Sequence, residues 1–119
     1  MQQRIPWKAL VLLITAVILF FALRPSAPQA LTGWDKLDHM AAFFVLSVFV
    51  RIAWPRLNLA ACFGLLALFG GGIELAQWLM GLGRDADVMD WVADLVATIA
   101  GLGVGTAIRA AFRPGTIPR

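Results

Sequence analysis

The sequence predicts an all-α fold: a polytopic membrane protein built as a bundle of four transmembrane helices, with both termini in the cytoplasm. Hydrophobic residues make up 61% of its 119 residues, charged residues make up 14%, and the mean hydropathy is +0.81. This composition is too apolar for a soluble domain of that length. Because each span needs about 20 residues, we expect residues 1–119 to form a single four-helix transmembrane domain.

The first predicted span covers about residues 7–23. It follows a basic head and is apolar from residue 9 onward, with only Thr15 interrupting. A cleaved signal peptide would need small residues in an A-x-A-like pattern, whereas Pro25 and Pro28 interrupt the sequence before the next alanines. We therefore expect an uncleaved helix followed by an extended loop, since proline disfavours helical geometry in the residue before it.

The second and third predicted spans cover about residues 38–54 and 57–80, on either side of Pro55. Arg51 lies one turn before the end of the second span and is expected to extend toward the lipid headgroups. The third span carries three consecutive glycines at 70–72, followed by Glu74 and Gln77. Cys62 lies in an apolar run with no second cysteine to pair with, so we expect it to be a buried free thiol.

The fourth predicted span covers about residues 90–108. Residues 81–87 precede it and are typical of a turn because they combine glycine with charged residues. Gly101 and Gly105 are spaced as Gly-x-x-x-Gly, a pattern that lets membrane helices approach closely. The sequence therefore predicts a close helix contact in the second half of this span.

Charge segregation predicts the orientation. Seven of the ten basic residues fall on the side that holds both termini and the turn at Pro55, while the other three fall on the opposite side with all seven acidic residues. Short cytoplasmic loops carry an excess of Lys and Arg, which puts the termini inside. Tryptophans fit this topology, because Trp7 and Trp54 would lie at the inner interface and Trp34, Trp78 and Trp91 at the outer one. The topology also explains the basic residues without a nucleic-acid partner. The seven basic residues on the side of the termini are Arg4, Lys8, Arg51, Arg56, Arg109, Arg113 and Arg119.

Polar residues of three spans converge on the predicted outer side. Glu74 lies roughly 9 Å below the outer end of its helix and Asp94 about 6 Å below Asp90, from the helical rise of 1.5 Å per residue. An ionisable residue at membrane depth usually faces a protein interior or a water-filled cavity. We therefore predict a pocket that opens outward and binds a ligand. Its predicted lining is Lys36, His39, Glu74, Gln77, Arg84, Asp90 and Asp94.

Each of these residues also has a structural interpretation that the sequence leaves open. His39 could be satisfied by a backbone group at the start of its helix, and Arg84 could only balance neighbouring acids in a solvated turn. Asp38 and Asp87 suit helix starts, where free N–H groups and the helix dipole favour an acid. Glu74 could form an ion pair that merely holds the bundle together.

Three short motifs occur in a fixed order: Asp35-Lys36-x-x-His39 before one apolar helix, Glu74-x-x-Gln77 near the end of the next, then Arg84, Asp90 and a glycine-spaced last helix. In this arrangement the chain resembles the VanZ-like family of small bacterial membrane proteins from about residue 35 to 105. Members of that family are linked to low-level resistance to the glycopeptide teicoplanin, and relatives occur near envelope polysaccharide genes. The chain differs in carrying Asp94 and Ala97 where the family has Asn-x-x-Gly, and Phe43 where tyrosine is common.

The resemblance implies a multi-pass protein of the bacterial cytoplasmic (inner) membrane that binds or helps process an envelope component. Lipid-linked precursors, polysaccharide intermediates, glycopeptide-related targets and envelope-biosynthesis proteins are the candidate partners. Two other functions stay open: an intramembrane enzyme acting on a lipid phosphate or glycolipid, and a small proton- or ion-coupled transporter. The candidate catalytic residues are His39, Glu74 and Asp94. We expect no cofactor and no metal, because one histidine among carboxylates lacks a diagnostic ligand spacing.

Overall fold

The computed structural model describes residues 5–23, 35–81 and 88–112, without the side chains of Asp35 and Lys36. This part of the chain consists of four α-helices and contains no strand: α1 (Trp7–Ala22), α2 (Asp35–Ala53), α3 (Leu59–Met80) and α4 (Val88–Phe112). The predicted all-α fold with four helices is therefore confirmed. The loop predicted at Pro25 and Pro28, most of the turn at 81–87 and the tail after 112 lie outside the described residues.

The helix ends follow from local sequence signals. α2 ends at Ala53, two residues before Pro55, and the Asn58 side chain caps α3 by accepting a hydrogen bond from the Ala61 amide at 2.7 Å. α3 ends at Met80 and is capped by Gly81, whose φ of 60° suits glycine. Two ends differ from the prediction: α2 begins at residue 35 rather than 38, and α4 continues to 112 rather than 108. Polar residues are tolerated in a first turn, and helix formers continue in α4 until the approach to Pro114.

Two helices, α3 and α4, are long and apolar enough to cross a membrane, with mean hydropathies of 1.9 and 1.6. Only 22% and 28% of their most apolar windows are buried, whereas the core helix of a soluble protein would be mostly buried. α1 is apolar but has 16 residues, and α2 has 19 residues with several charges. Length and composition thus identify two of the four helices as candidate spans.

α2 is the central helix and has contacts with each of the other three. Its most extensive partner is α4, and the two run parallel, because Gly101 of α4 lies against Ser47 while Gly105 lies against Arg51. α1 runs antiparallel to α2, since Trp7 at its start stacks on Phe49 near the end of α2 with ring centroids 5.6 Å apart. α3 runs parallel to α1, because Gln77 near its end bonds to the carbonyl of Ala22 at the end of α1, so successive helices alternate in direction.

The contact between α2 and α4, called the seam below, is formed by Gly101 and Gly105 against Phe44, Ser47, Val48 and Arg51. A Cβ atom at Gly101 would lie 2.7 Å from the Ser47 Cβ and would overlap the carbonyl oxygen of Phe44. At Gly105 it would lie 2.7 Å from the Arg51 Cβ. The Gly-x-x-x-Gly contact predicted from the sequence is confirmed, and its partner is α2.

Arg51 is held by two hydrogen bonds near the end of α2. Its Nε donates to Thr106 Oγ1 at 2.9 Å and its Nη1 donates to the Pro55 carbonyl at 3.2 Å. Both acceptors are available because the close seam brings α4 within reach and because α2 ends just before Pro55. The guanidinium group therefore links the two helices at the end of the seam near Pro55.

The outside of the bundle is apolar and the inside is small and tightly filled. Phe43, Leu46 and Cys62 are among the fully buried side chains, and the Cys62 thiol is free, as predicted. Large apolar side chains stay exposed on all four helices, which is rare on the surface of a soluble monomer. Among the most exposed are Leu12, Phe20, Leu65, Leu68, Trp78, Leu79, Val88 and Phe112.

Candidate functional site

The described polar residues of the predicted pocket lie at the end of the bundle where α2 and α4 begin and α3 ends. His39, Glu74 and Asp90 are half-buried there, and Asp94 is 3% exposed. We call this group of four the polar end. Each of the four takes part in interactions with neighbouring groups. The opposite end of the bundle holds basic residues and no acidic ones, because residues 39–73 and 95–119 contain no Asp or Glu.

The register of α2 against α3 puts His39 and Glu74 at one level. Phe43 of α2 packs on α3, with its ring 3.3 Å from the position of a Cβ at Gly70 and its centroid 5.7 Å from that of Phe69. The two helices are antiparallel, so one turn back along α2 and one turn forward along α3 lead to the same level. Those steps lead from Phe43 to His39 and from Gly70 to Glu74, each on the same helix face as its starting residue.

The register of α2 against α4 places Asp94 near the turn of α2 that contains His39. Gly101 lies against Phe44 and Ser47, and parallel helices advance equally along their axes. Two turns back from Gly101 on the same face is Asp94, and two turns back on α2 are residues 37–40. Asp94 is therefore level with the turn of α2 that contains His39.

Glu74 leaves α3 on the side that faces α2 and α4. Gly70 lies against Phe43 of α2, and Gly71 lies 3.3 Å from the Trp91 indole nitrogen of α4, measured from a Cβ position. With 3.6 residues per turn, the direction of Glu74 around α3 falls between those of Gly70 and Gly71. The predicted polar stripe of α3 therefore points into the angle between the two parallel helices.

Trp91 was expected at the outer membrane interface, but the structure packs it inward. Its Nε1 donates to the Ala67 carbonyl at 3.0 Å, and its ring occupies the space beside Gly70 and Gly71. The glycines do remove bulk next to Glu74, as predicted, and the aromatic rings of Phe43 and Trp91 fill that space. Trp91 is thus a positioning residue that sequence reasoning missed, although the glycine run was a signal that a large ring approaches.

Asp94 is the most deeply buried carboxylate that the structure describes. Its main-chain carbonyl accepts a hydrogen bond from Thr98 Oγ1 at 2.7 Å, and its Oδ1 atom receives none from the described residues. Its remaining interactions engage it with neighbouring groups. Removing a carboxylate from water is costly unless charges or hydrogen bonds compensate. The stability of the protein around Asp94 therefore depends on the groups that contact this carboxylate.

Gln77 has a specific partner that the sequence did not indicate. It is 3% exposed, and its Nε2 donates to the Ala22 carbonyl at 2.8 Å. Ala22 is the last residue of α1, where carbonyl groups lack partners within the helix. The amide therefore ties the end of α1 to α3, beside the stripe that carries Glu74.

The remaining predicted site residues are described only in part. Asp90 lies in the first turn of α4, where the helix dipole favours an acid. Lys36 belongs to α2 one turn before His39, but its side chain lies outside the described residues, as does all of Arg84. The structure therefore places His39, Glu74 and Asp94 at the same end of the bundle and leaves the contributions of Lys36 and Arg84 as predictions.

Within residues 5–23, 35–81 and 88–112, no three His, Cys, Asp or Glu side chains lie close enough together to hold a metal ion. Those residues therefore offer no set of metal ligands to an enzyme that would use a metal ion. The polar end combines one imidazole with three carboxylates at one end of an apolar bundle. No family model, curated protein or solved structure matches this chain.

Proposed function

We propose that the chain is a VanZ-like protein of the bacterial cytoplasmic membrane, spanning it four times with both termini inside. Its polar end would face outward and bind, or help process, an envelope component such as a lipid-linked precursor or a polysaccharide intermediate. The observation that supports this proposal is that His39, Glu74 and Asp94, which come from three different helices, all lie at the same end of the bundle.

Membrane insertion of all four helices is supported by the apolar exterior. α1 and α2 pack against α3 and α4 in alternating directions, so they would cross with the two candidate spans. The exposed Leu12, Phe20 and Val45 lie on these two helices. Placing them in lipid removes them from water without a partner protein. α1 has about 24 Å of helix by its rise, which fits the hydrocarbon core of about 30 Å when the flanking residues contribute.

An outward-facing ligand site is supported by the distribution of charge. The described acidic residues Asp38, Glu74, Asp90 and Asp94 lie where α2 and α4 begin and α3 ends, whereas Lys8, Arg51, Arg56 and Arg109 lie at the opposite end, the arrangement that the positive-inside rule predicts. Carboxylates can accept hydrogen bonds from sugar hydroxyls, and the imidazole can donate to phosphate oxygens. Glycosylated lipid phosphates present both kinds of group at the outer leaflet.

The experiment uses the full chain expressed in a bacterium that lacks a homologue, with teicoplanin susceptibility and precursor binding as readouts. Glu74→Gln and His39→Gln should each abolish protection and lower the affinity of the purified protein for lipid-linked precursors. Arg109→Gln, a charge removed at the inner end, is the matched control and should behave as the parent. Full protection and unchanged binding in both outer variants, at equal protein levels, would refute the proposal.

A second function, an intramembrane enzyme acting on a lipid phosphate or glycolipid, is favoured by the same pairing of an imidazole with carboxylates. His39 would transfer a proton while Glu74 or Asp94 orients it. Purified protein incubated with undecaprenyl-linked substrates distinguishes the two functions. Turnover that is lost in His39→Gln would establish the enzyme, and binding without turnover would leave the accessory function.

A further inference from the structure

An apolar cleft lies between α1, α2 and α3, on the side of α2 away from the seam. Its cavity volume is about 390 Å³. It extends along α2 from Leu46 to Trp54 and is bounded by Leu57 where α3 approaches. No described residue of α4 lines it. The described lining residues are Thr15, Leu46, Val50, Trp54, Leu57, Leu65, Leu66 and Phe69.

The inner rim of this cleft is basic. Lys8 of α1 holds its Nζ 5.7 Å from the centroid of the Trp54 ring, and Trp54 itself lines the cleft. Arg56 is exposed in the turn between Trp54 and Leu57. α3 begins at Leu59, so the positive end of its helix dipole adjoins the same rim.

These cations have no acidic counterpart at their own end of the chain. Residues 1–34, 39–73 and 95–119 contain no Asp or Glu, and the polar end lies at the other end of α2. An anionic group from outside the chain would complement the positive charge at this rim. In a membrane, the hydrocarbon that fills an apolar cleft open to lipid is an acyl chain, and the anion attached to it is a headgroup phosphate.

We propose that the cleft between α1, α2 and α3 binds an anionic phospholipid of the inner leaflet. One acyl chain would lie between Leu46 and Trp54, and the phosphate would lie at the rim between Lys8 and Arg56. The proposal rests on the proposed membrane insertion but is independent of any ligand at the polar end. It assigns a negatively charged ligand to the positively charged inner half of the molecule.

The test is native mass spectrometry of the full chain in nanodiscs that contain equal amounts of phosphatidylglycerol and phosphatidylcholine with identical acyl chains. The parent protein should retain one phosphatidylglycerol molecule in preference to phosphatidylcholine. Lys8→Gln and Arg56→Gln should each weaken that preference about fivefold, the effect of one basic residue near an anionic surface. Thr15→Phe, which fills the cleft, should reduce retention of both lipids.

Three controls separate this proposal from the others. Arg109→Gln removes a charge from the same end but from α4, which does not line the cleft, and should retain the lipid as the parent does. His39→Gln and Glu74→Gln should also retain it, so a failure of the outer site leaves this result unchanged. Thermal melting of each variant checks that it is folded.

Four outcomes would overturn the proposal. Equal retention of the two lipids would show that the cleft does not recognise the headgroup charge. If Arg109→Gln lost as much of the preference for phosphatidylglycerol as Lys8→Gln, the preference would reflect only the net charge of the protein. A lipid-free dimer would show that a second copy of the chain occupies the cleft. Displacement of phosphatidylglycerol by an equal amount of added polyprenyl phosphate would assign the cleft to that carrier instead.

Discussion

The two sides of α2 are built differently. On the α4 side, glycines bring the backbones so close that the Phe44 carbonyl and the Ser47 side chain leave no room for a Cβ at Gly101. On the α1 and α3 side, the same helix borders a cavity of about 390 Å³. One side fixes the relative position of two parallel helices and the other leaves space. The difference indicates that the seam is the rigid frame on which the polar end is built.

The largest effect is expected at the seam. Gly101→Leu should prevent normal packing of α2 on α4, because even the first added carbon would overlap main-chain atoms of Phe44. Overpacking usually costs about 1–3 kcal/mol, and backbone that cannot move puts this case at the upper end. Gly103→Leu is the matched control, since nothing lies within 4 Å of a Cβ there. Yield and melting of the purified proteins measure the difference, and equal stability would refute the seam.

A smaller loss is expected for Gln77→Met. The substitution keeps the length of the side chain but removes the donor to the Ala22 carbonyl, and an unsatisfied buried carbonyl costs about 1–3 kcal/mol. Release of α1 should appear as faster hydrogen exchange at its last turn. The control is Leu79→Met, an exposed position of the same helix. Unchanged exchange in Gln77→Met would show that the amide does not hold α1.

The cross-seam hydrogen bond of Arg51 should contribute about 1 kcal/mol. Arg51→Met and Thr106→Val each remove one partner of the 2.9 Å hydrogen bond, so the double variant should be less destabilised than the sum of the two single variants. Denaturant titration in micelles measures all four proteins. Strict additivity would mean that the guanidinium and the hydroxyl do not interact.

The smallest effect is expected on the open side of α2. Thr15→Phe adds bulk that the cleft can accept, so the free energy of unfolding should change by about 0.5 kcal/mol or less, in contrast to Gly101→Leu. The same melting assay in lipid-free micelles measures it. A loss as large as that at the seam would show that both sides of α2 are equally filled, and the comparison would fail.

Much of the fold could be predicted from the sequence because its signals are local. Pro55 and Gly81 mark helix ends through their own backbone restrictions, and the spacing of Gly101 and Gly105 indicates a close helix contact whatever the partner. The position of His39, Glu74 and Asp94 at one end of the bundle was also predictable, because the alternating helix directions and the helical rise determine where each residue lies along its helix. Charge distribution needed no structure at all.

The partners of individual polar groups could not be predicted, because they depend on how each helix is rotated and tilted. Gln77 bonds to Ala22 rather than facing the pocket, and Trp91 turns inward to the Ala67 carbonyl rather than toward the interface. The cleft depends on the separation between α1 and α3. A sequence pattern does not encode that distance, since the same apolar residues would fill a closed core or line an open one.

The most direct test of the central claim measures whether His39 and Glu74 face each other at one level. In a Cys62→Ala background, His39→Cys paired with Glu74→Cys should be joined by a short bis-thiol crosslinker, identified by the linked peptides. His39→Cys paired with Leu75→Cys should not be joined, because Leu75 is exposed on another face of α3. Equal crosslinking of both pairs, or of neither, would contradict the account.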